Sequence, residues 1–382
     1  MKTTQNNLSK KIILFAKREV VLEIALLLAI ISSFFVRPSI KYFEYIDFRV
    51  LCILFMLMLV VSGLTNIGFL DDVAARLTGK VKNFRQLYLV LVLLCFFSSM
   101  FITNDVALIT FVPFSIRTLK YCKQEKKLIL VIVMETVAAN LGSMLTPIGN
   151  PQNLFIYANY NMSLEQFVKI IFPYSLVSVF ILVVLIFANK DGKLKVEGIS
   201  QNIKRVKNYG FKVAYFMVLF AGALLVVVFK LDYRIVTPIV IILLAIQNYR
   251  LLAKVDYSLL FTFVFFFIFI GNLGNITSIK DVLTTVVQGN EFALGVSVSQ
   301  IFSNVPATML LSGFTKNYAP LLIGVNVGGL GTLIASMASL ISYKFYANED
   351  NAQKLKYLAA FSIINILFMV ILVVIYMIFW YH

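Results

Sequence analysis

Long apolar runs, separated by short polar and basic segments, dominate the sequence. Each holds roughly 17 or more mostly apolar residues, the length that a helix needs to cross a bilayer. These runs are residues 19–36, 48–70, 128–157, 166–189, 211–230, 234–249, 256–278, 318–344 and 354–381. None shows the two-residue alternation of a membrane β-barrel strand. The pattern predicts an all-α polytopic membrane protein.

Two further stretches, 86–116 and 282–315, are apolar but interrupted. If 86–116 crossed once, the strongly basic segment 117–127 would lie outside the cell. If each stretch dips into the membrane and returns, 26 of the 34 Lys and Arg residues lie inside and 8 outside, as the positive-inside rule expects. We therefore predict two re-entrant helical hairpins in the cytoplasmic membrane, with the N-terminus inside and the C-terminus outside.

Three segments recur in the same order in both halves, which indicates an internal repeat. The paired segments are LTNIGFLDDV (64–73) with LGNITSIKDV (273–282), TNDVALITF (103–111) with SNVPATMLL (303–311), and NLGSMLTPIGN (140–150) with GLGTLIASMAS (329–339). Because the first hairpin opens inwards and the second outwards, the repeats have inverted topology. Inverted repeats with interrupted helices are typical of secondary transporters.

The predicted organisation follows from this repeat. An N-terminal repeat (1–189) and a C-terminal repeat (211–382) flank a cytoplasmic linker (190–210). The first repeat contains the hairpin 86–116 and a broken helix at 128–157. The second contains the hairpin 282–315 and a broken helix at 318–344.

The hairpin tips carry polar side chains at membrane depth, where such groups are costly and usually functional. These residues are Thr103, Asn104 and Asp105 at the first tip, and Ser303, Asn304 and Thr308 at the second. Their oxygens, together with backbone carbonyls, suit a hard cation such as Na⁺. Helix N-termini at the same place suit an anion. We expect substrate or ion binding by all six residues, and Na⁺ at all of them except Thr308.

The broken helices offer a second set of polar groups. In NLGSMLTPIGNPQN, proline and glycine interrupt the helix and free backbone groups. The expected binding residues are Thr146, Gly149, Asn150 and Asn153, with Thr332, Ser336 and Ser339 in the second half. The alternative interpretation is a kink whose small residues only allow close helix packing.

Two acidic residues are candidate proton sites. Asp105 faces Val305 in the repeat alignment, so only one tip carries an acid. It either binds Na⁺, exchanges a proton, or is satisfied by the amides of the tip. Glu135, in the middle of a predicted span, is a second possible proton site or makes a structural hydrogen bond. No Lys or Arg lies deep in a predicted span, so an anionic substrate would be held by helix termini, amides and co-bound cations.

Composition excludes several other classes of protein. The net charge of +16 lies in loops between spans, which argues against nucleic acid as a partner. The single histidine is the last residue, and no H-E-x-x-H or Walker A sequence is present, so we predict no enzyme, no catalytic residue and no cofactor besides Na⁺ or H⁺. A channel is a remoter alternative, because filters repeat one sequence around an axis and these two tips differ.

The tip and broken-helix motifs NDVALITFVP, SNVPATMLL and ANLGSMLTPIGNPQN resemble those of the ion transporter superfamily. That group includes divalent anion:sodium symporters, citrate-transporter-like permeases and arsenite/antimonite permeases. The symporters' Ser-Asn-Thr tip is matched here only in its first two positions. The resemblance implies a scaffold and a transport domain, an elevator-type movement, a homodimer, and Na⁺- or H⁺-coupled transport of a small carboxylate or oxyanion. Arsenite or antimonite efflux and Na⁺/H⁺ antiport are the alternatives.

Overall fold

The computed structural model describes residues 20–189 and 206–380, and all regular structure in this part of the chain is helical. The first half contains α1 (Val20–Ser33), α2 (Lys41–Tyr45), α3 (Phe48–Asn66), α4 (Phe69–Thr78), α5 (Phe84–Ile102), α6 (Asn104–Tyr121), α7 (Leu128–Ser143), α8 (Pro151–Asn159) and α9 (Leu164–Ala188). The second contains α10 (Tyr209–Val228), α11 (Tyr233–Asn248), α12 (Tyr257–Asn275), α13 (Thr277–Val287), α14 (Glu291–Phe302), α15 (Asn304–Ser312), α16 (Tyr318–Gly328), α17 (Met337–Ala347) and α18 (Lys354–Trp380). Short 3₁₀ turns precede α7 and α12. The predicted linker 190–210 lies mostly outside the described residues.

Seven of the described helices are long and apolar enough to cross a membrane: α3, α5, α9, α10, α11 with its 3₁₀ extension, α12 and α18. Polar side chains begin several of them by accepting hydrogen bonds from otherwise unpaired first-turn N–H groups. Asp47 accepts from Val50 at the start of α3, and Ser163 forms a capping box with Gln166 at the start of α9. The prediction of an all-α polytopic membrane protein is confirmed.

Helices α5 and α6 form a hairpin that is interrupted only at Thr103. The start of α5 and the residues after α6 lie together, since the Lys127 ammonium is 5.4 Å from the centre of the Phe84 ring. Helix α7 then packs alongside α5. The chain therefore leaves one end of the helix bundle, turns at Thr103 and returns to the same end.

Helices α14 and α15 form the second hairpin, with its turn at Ser303. Its open end is closed by a buried hydrogen bond of 2.7 Å from the Thr315 hydroxyl to the Glu291 carboxylate. The arms are short: α14 has 12 residues, about 18 Å at the usual helical rise. The first part of the predicted stretch 282–315 belongs instead to α13, which ends before Gly289 (φ 82°).

The helices fall into two packing groups. Helices α1, α3, α10, α11 and α12 form one group through their mutual contacts. In the other group, α5, α6, α7 and α9 pack together, and α17 and α18 pack on α7. Helices α14, α15 and α16 also pack together, and α15 and α16 contact α8. The groups meet mainly where α3 packs on α8 and α12 packs on α15. Aromatic rings fill the neighbouring contact of α8 with α12, with ring centres of Phe155 and Phe267 5.8 Å apart.

Contacts between loops define two ends of the bundle. At the first, which we call the basic end, the joined pairs are Lys254–Asn66, Arg117–Asp71, Arg85–Asn189 and Lys120–Glu349. At the opposite end, the joined pairs are Lys230–Asn161, Tyr160–Thr315 and Asn275–Tyr45. Each group contains only loops that the hairpin topology assigns to one side of the membrane.

Candidate functional site

The two hairpin tips have the same backbone conformation. Thr103 has φ 69° and ψ 152°, and Ser303 has φ 72° and ψ 155°. Positive φ is uncommon for residues other than glycine and costs free energy, of order 1–3 kcal/mol, that the surrounding structure must offset. Such conformations cluster at functional sites. The shared conformation gives a structural basis to the sequence match between the tips.

Each tip is anchored to the broken helix of its own half by one backbone hydrogen bond. The N–H of Asn104 donates to the carbonyl of Gly149 over 3.2 Å, and the N–H of Asn304 donates to the carbonyl of Ala335 over 3.0 Å. The gap between α7 and α8 and the gap between α16 and α17 are thus held against the tips. In both halves a helix start and an interrupted helix meet at the same point.

The equivalence of these bonds fixes how the two broken helices correspond. Gly149 and Ala335 are 186 positions apart, and the same spacing pairs Asn140 with Asn326, Gly142 with Gly328 and Thr146 with Thr332. The sequence match of 140–150 with 329–339 is therefore three residues out of register. With the corrected spacing of 186, these three pairs of identical residues occupy equivalent positions in the two broken helices.

A small cavity of about 20 Å³ lies between the two tips. This volume suffices for about one water-sized particle. Its lining combines both tips, the starts of α8 and α17, and one residue of α12: Asn104, Asp105, Pro151, Gln152, Leu259, Asn304, Val305, Ser336 and Met337. The predicted residues that reach this cavity are Asn104, Asp105, Asn304 and Ser336.

Buried amides and hydroxyls connect the halves around the cavity. Asn140 accepts hydrogen bonds from Asn104 (2.9 Å) and Ser336 (3.1 Å) through its side-chain oxygen. Its amide nitrogen donates to the hydroxyl of Ser339 over 3.3 Å. This single residue therefore links the first tip to the second broken helix.

The link is reciprocal. The amide of Asn326 donates to the side-chain oxygen of Asn153 over 2.7 Å. Asn326 is the counterpart of Asn140, and Asn153 is the counterpart of Ser339, so the two bonds exchange under the repeat relation. Such an exchange is what a two-fold relation between similar halves produces.

The cavity is not symmetric in its chemistry. Asp105 has Val305 as its counterpart, and Gln152 has Ala338. The carboxylate of Asp105 and the side-chain amide of Gln152 therefore have no equivalent in the second half. The Nε2 atom of Gln152 is buried without a hydrogen-bond partner, which leaves an amide donor unsatisfied beside the cavity.

Two carboxylates, those of Asp105 and Asp256, give the cavity a negative electrostatic potential. Its lining contains one carboxylate, that of Asp105, and no Lys or Arg. Asp256, which caps α12 by accepting from the N–H of Leu259 (3.0 Å), is near enough to repel the Asp105 carboxylate. Among the described residues, no group of three or more His, Cys, Asp or Glu side chains is placed to hold a metal ion. A cation here would rely on amide, hydroxyl and carbonyl oxygens together with Asp105.

The predicted residues of the first broken helix stabilise its gap. Asn153 donates to the carbonyls of Ser143, Met144 and Thr146, at 3.2 Å each. The hydroxyl of Thr146 bonds to the carbonyl of Met100 and accepts from the N–H of Gly149. Asn150 donates to the Ser143 hydroxyl (2.6 Å), and its own side-chain oxygen is buried without a partner.

Six other predicted residues lie outside the lining of the cavity: Thr103, Ser303, Thr308, Thr332, Ser339 and Glu135. Thr103 is half-buried at the first tip, and Thr308 bonds to the carbonyl of Asn304 one turn earlier (2.6 Å). Thr332 is exposed and bonds to Gln300. Glu135 lies in the middle of α7, where its carboxylate accepts a hydrogen bond from Ser115 and its other oxygen is buried without a partner.

Sequence reasoning missed Asn140, Gln152, Leu259 and Asn326. The two asparagines become visible in the sequence only once the broken helices are compared at a spacing of 186. Gln152 has an apolar counterpart, Ala338, and lies between Pro151 and Asn153, so the repeat comparison does not distinguish it. Leu259 is one apolar residue among many, so no sequence signal distinguishes it.

Comparisons with known proteins agree with this architecture. The citrate transporter family matches residues 12–322. An uncharacterized transporter of Methanocaldococcus jannaschii is 35% identical over 344 residues, which cover 89% of this chain and 92% of the relative. The inner membrane protein YbiR of Escherichia coli is 31% identical over 336 residues (86% and 87%).

A third relative is similar over a shorter region. The silicon efflux transporter LSI3 of Oryza sativa is 30% identical over 128 residues, which cover 34% of this chain and 26% of the relative. The family match extends over both hairpins and ends in the first part of α16. The chain therefore belongs to the citrate transporter family and is a multi-pass membrane transporter.

Proposed function

We propose that the protein is a secondary active transporter that moves a small carboxylate or oxyanion together with Na⁺ or H⁺. One observation carries the proposal: two tips of the same conformation and two interrupted helices surround a single small cavity. Four helix N-termini or freed backbone segments converge there, which suits oxygen-rich solutes and ions.

The coupling ion binds on the Asp105 side of the cavity. Since the corresponding position in the second half is Val305, one half supplies a carboxylate and the other does not. An anionic substrate bound beside Asp105, without any Lys or Arg in the lining, requires a cation or a proton to offset the repulsion. We infer one coupling cation or proton per substrate.

An elevator-type movement is supported by the two packing groups. Helices α3 and α12, which would belong to the scaffold, pack on α8 and α15, which would belong to the moving part. The cavity contacts α12 at Leu259, in the first turn of that helix, close to the basic end. If the basic end is cytoplasmic, as the charge distribution favours, the described conformation is inward-oriented. A homodimer formed through the scaffold completes this proposal.

The test is transport by purified protein in proteoliposomes with an imposed Na⁺ or proton gradient. Asp105→Asn removes the carboxylate with little change in size, and we expect it to abolish gradient-driven flux. The matched control is Asp281→Asn, which removes an exposed carboxylate on α13 and should leave flux unchanged. Undiminished coupled flux in Asp105→Asn would exclude the assignment.

A second candidate is efflux of an uncharged metalloid hydroxide such as arsenite. A cavity with a carboxylate and no basic residue suits a neutral hydroxylated solute better than a multiply charged anion. The similarity to a silicon efflux transporter points in the same direction. Parallel flux assays with citrate, arsenite and silicic acid distinguish these candidates, and Na⁺/H⁺ exchange without any solute would favour the antiporter.

A further inference from the structure

A second cavity lies between α9 and α18, on the lipid-facing side of the bundle. It measures about 320 Å³ and is lined by Lys169, Ile170, Pro173, Tyr174, Phe379 and Trp380. Lys169 lies in the second turn of α9, near the opposite end, and Trp380 is the last described residue of α18. None of these residues belongs to the tip cavity or to its polar network.

The polar groups of this cavity are mainly hydrogen-bond donors. Tyr174 is 2% exposed, and its hydroxyl has no hydrogen-bond partner. The indole of Trp380 interacts with that hydroxyl without reaching hydrogen-bond geometry. Lys169 pairs with Glu165 at 2.6 Å, and an ammonium group has three N–H donors, so donors remain for a ligand.

Pro173 adds one acceptor to the site. Proline has no N–H, so it cannot bond to the carbonyl of Lys169 one turn earlier in α9. The Lys169 carbonyl therefore lacks its usual helical donor and is available as an acceptor beside the cavity. A ligand that fits therefore carries an anionic group for the donors and a hydroxyl or ammonium for the carbonyl.

We propose that this cavity binds the headgroup of an anionic glycerophospholipid, with its phosphate on Lys169, Tyr174 and Trp380. Tryptophan, tyrosine and lysine at the ends of spanning helices are the residues that anchor to the lipid headgroup layer. Below the cavity, α9 exposes the apolar row Phe172, Leu176 and Phe180, at helical spacing. The acyl chains lie along this row while the phosphate occupies the cavity.

Phosphatidylglycerol is the probe, because its glycerol hydroxyls supply the donor for the freed carbonyl. Trp380 is the only tryptophan in the sequence, so its fluorescence reports on this site alone. Phospholipids with brominated acyl chains quench tryptophan on contact. The experiment compares quenching of the full-length protein in vesicles with brominated phosphatidylglycerol or brominated phosphatidylcholine.

We expect phosphatidylglycerol to bind roughly tenfold more strongly than phosphatidylcholine. Both lipids carry a phosphate, but the choline group of phosphatidylcholine offsets its negative charge beside Lys169 and has no hydrogen-bond donor for the Lys169 carbonyl. Lys169→Gln should remove this preference. Tyr174→Phe keeps the ring and the net charge but deletes the buried hydroxyl, and should reduce the preference severalfold. Lys280→Gln, which removes an exposed charge on α13, should retain it.

Three results would overturn the proposal. The first is equal binding of both lipids by the unaltered protein. The second is an unchanged preference in both Lys169→Gln and Tyr174→Phe. The third is a loss of preference in Lys280→Gln as large as that in Lys169→Gln, since this would show diffuse charge attraction rather than a site. The experiment is independent of any transported solute.

Discussion

Helices α7 and α5 approach each other closely at Gly142, and replacing this residue by alanine tests how the first tip is held. A Cβ atom built on Gly142 would lie 2.0 Å from the carbonyl oxygen of Phe96 and 2.8 Å from the Ser99 hydroxyl. Favourable contacts of carbon begin at about 3.5 Å. The nearest obstacle is backbone, so the two helices must separate by roughly 1.5 Å at this point.

Separation of the helices also affects the polar network. Asn140 lies two residues before Gly142, and its bond to Asn104 measures 2.9 Å. A shift of about 1 Å takes this bond beyond hydrogen-bond distance. Overpacking costs about 1–3 kcal/mol, and a lost interhelical hydrogen bond in a membrane protein costs about 0.6 kcal/mol. We therefore expect Gly142→Ala to lower the stability by about 2–4 kcal/mol.

The assay is thermal denaturation in detergent with a thiol-reactive dye, which reports exposure of the buried Cys95. We expect the midpoint for Gly142→Ala to fall by about 5 °C or more, and flux in proteoliposomes to fall with it. Gly222→Ala is the matched control, because nothing lies within 4 Å of its added Cβ in α10. That control should match or slightly exceed the stability of the parent protein, since alanine is the better helix former.

An unchanged midpoint and full flux in Gly142→Ala would refute this reasoning. The close approach of α5 and α7 would then be unnecessary for holding the tip. A fall of equal size in Gly222→Ala would also count against it, because the effect would come from glycine replacement in general rather than from overlap with Phe96.

Two further predictions concern the hairpin topology and the reciprocal network. In a background without the three cysteines, Gln124→Cys should resist impermeant thiol labelling from outside, whereas Gln288→Cys should react; labelling of Gln124→Cys from outside would remove the first hairpin. For the reciprocal bond, Asn153→Ala and Asn326→Ala should each lower stability, and the double variant should be less destabilised than the sum by about 0.6 kcal/mol; strict additivity of the two losses would contradict a direct bond.

The spans and the polar tips were predictable from the sequence because the apolar interior of the membrane disfavours polar residues. Polar residues are costly in the membrane, so a run of apolar residues is a span and a polar interruption such as Asn104 signals a special site. The helix boundaries observed for α3, α10 and α12 differ from the predicted runs by at most four residues. The position of both tip turns, at Thr103 and Ser303, was visible for the same reason.

Two features were predicted wrongly: the register between the two broken helices, and the start of the second hairpin. The spacing between the broken helices was three residues out, because the glycine-rich run before Thr332 resembles several registers of its partner equally well. The end of helix α13 was merged with the second hairpin because only the short polar segment 288–291 separates its apolar residues from those of α14. The register between the broken helices follows from the backbone hydrogen bonds that Asn104 and Asn304 donate to Gly149 and Ala335. A comparison of the two sequence segments does not contain this information.

By itself, the sequence determined that the chain is a membrane protein with two similar halves and polar tips, since hydrophobicity and charge act on each segment separately. Only the tertiary structure decided which polar groups meet. Asn140 and Gln152 become site residues because helix packing carries them to tips that lie far away in the chain. The same packing leaves Asp105 facing an apolar counterpart across one small cavity, and this asymmetry arises only when both halves are assembled.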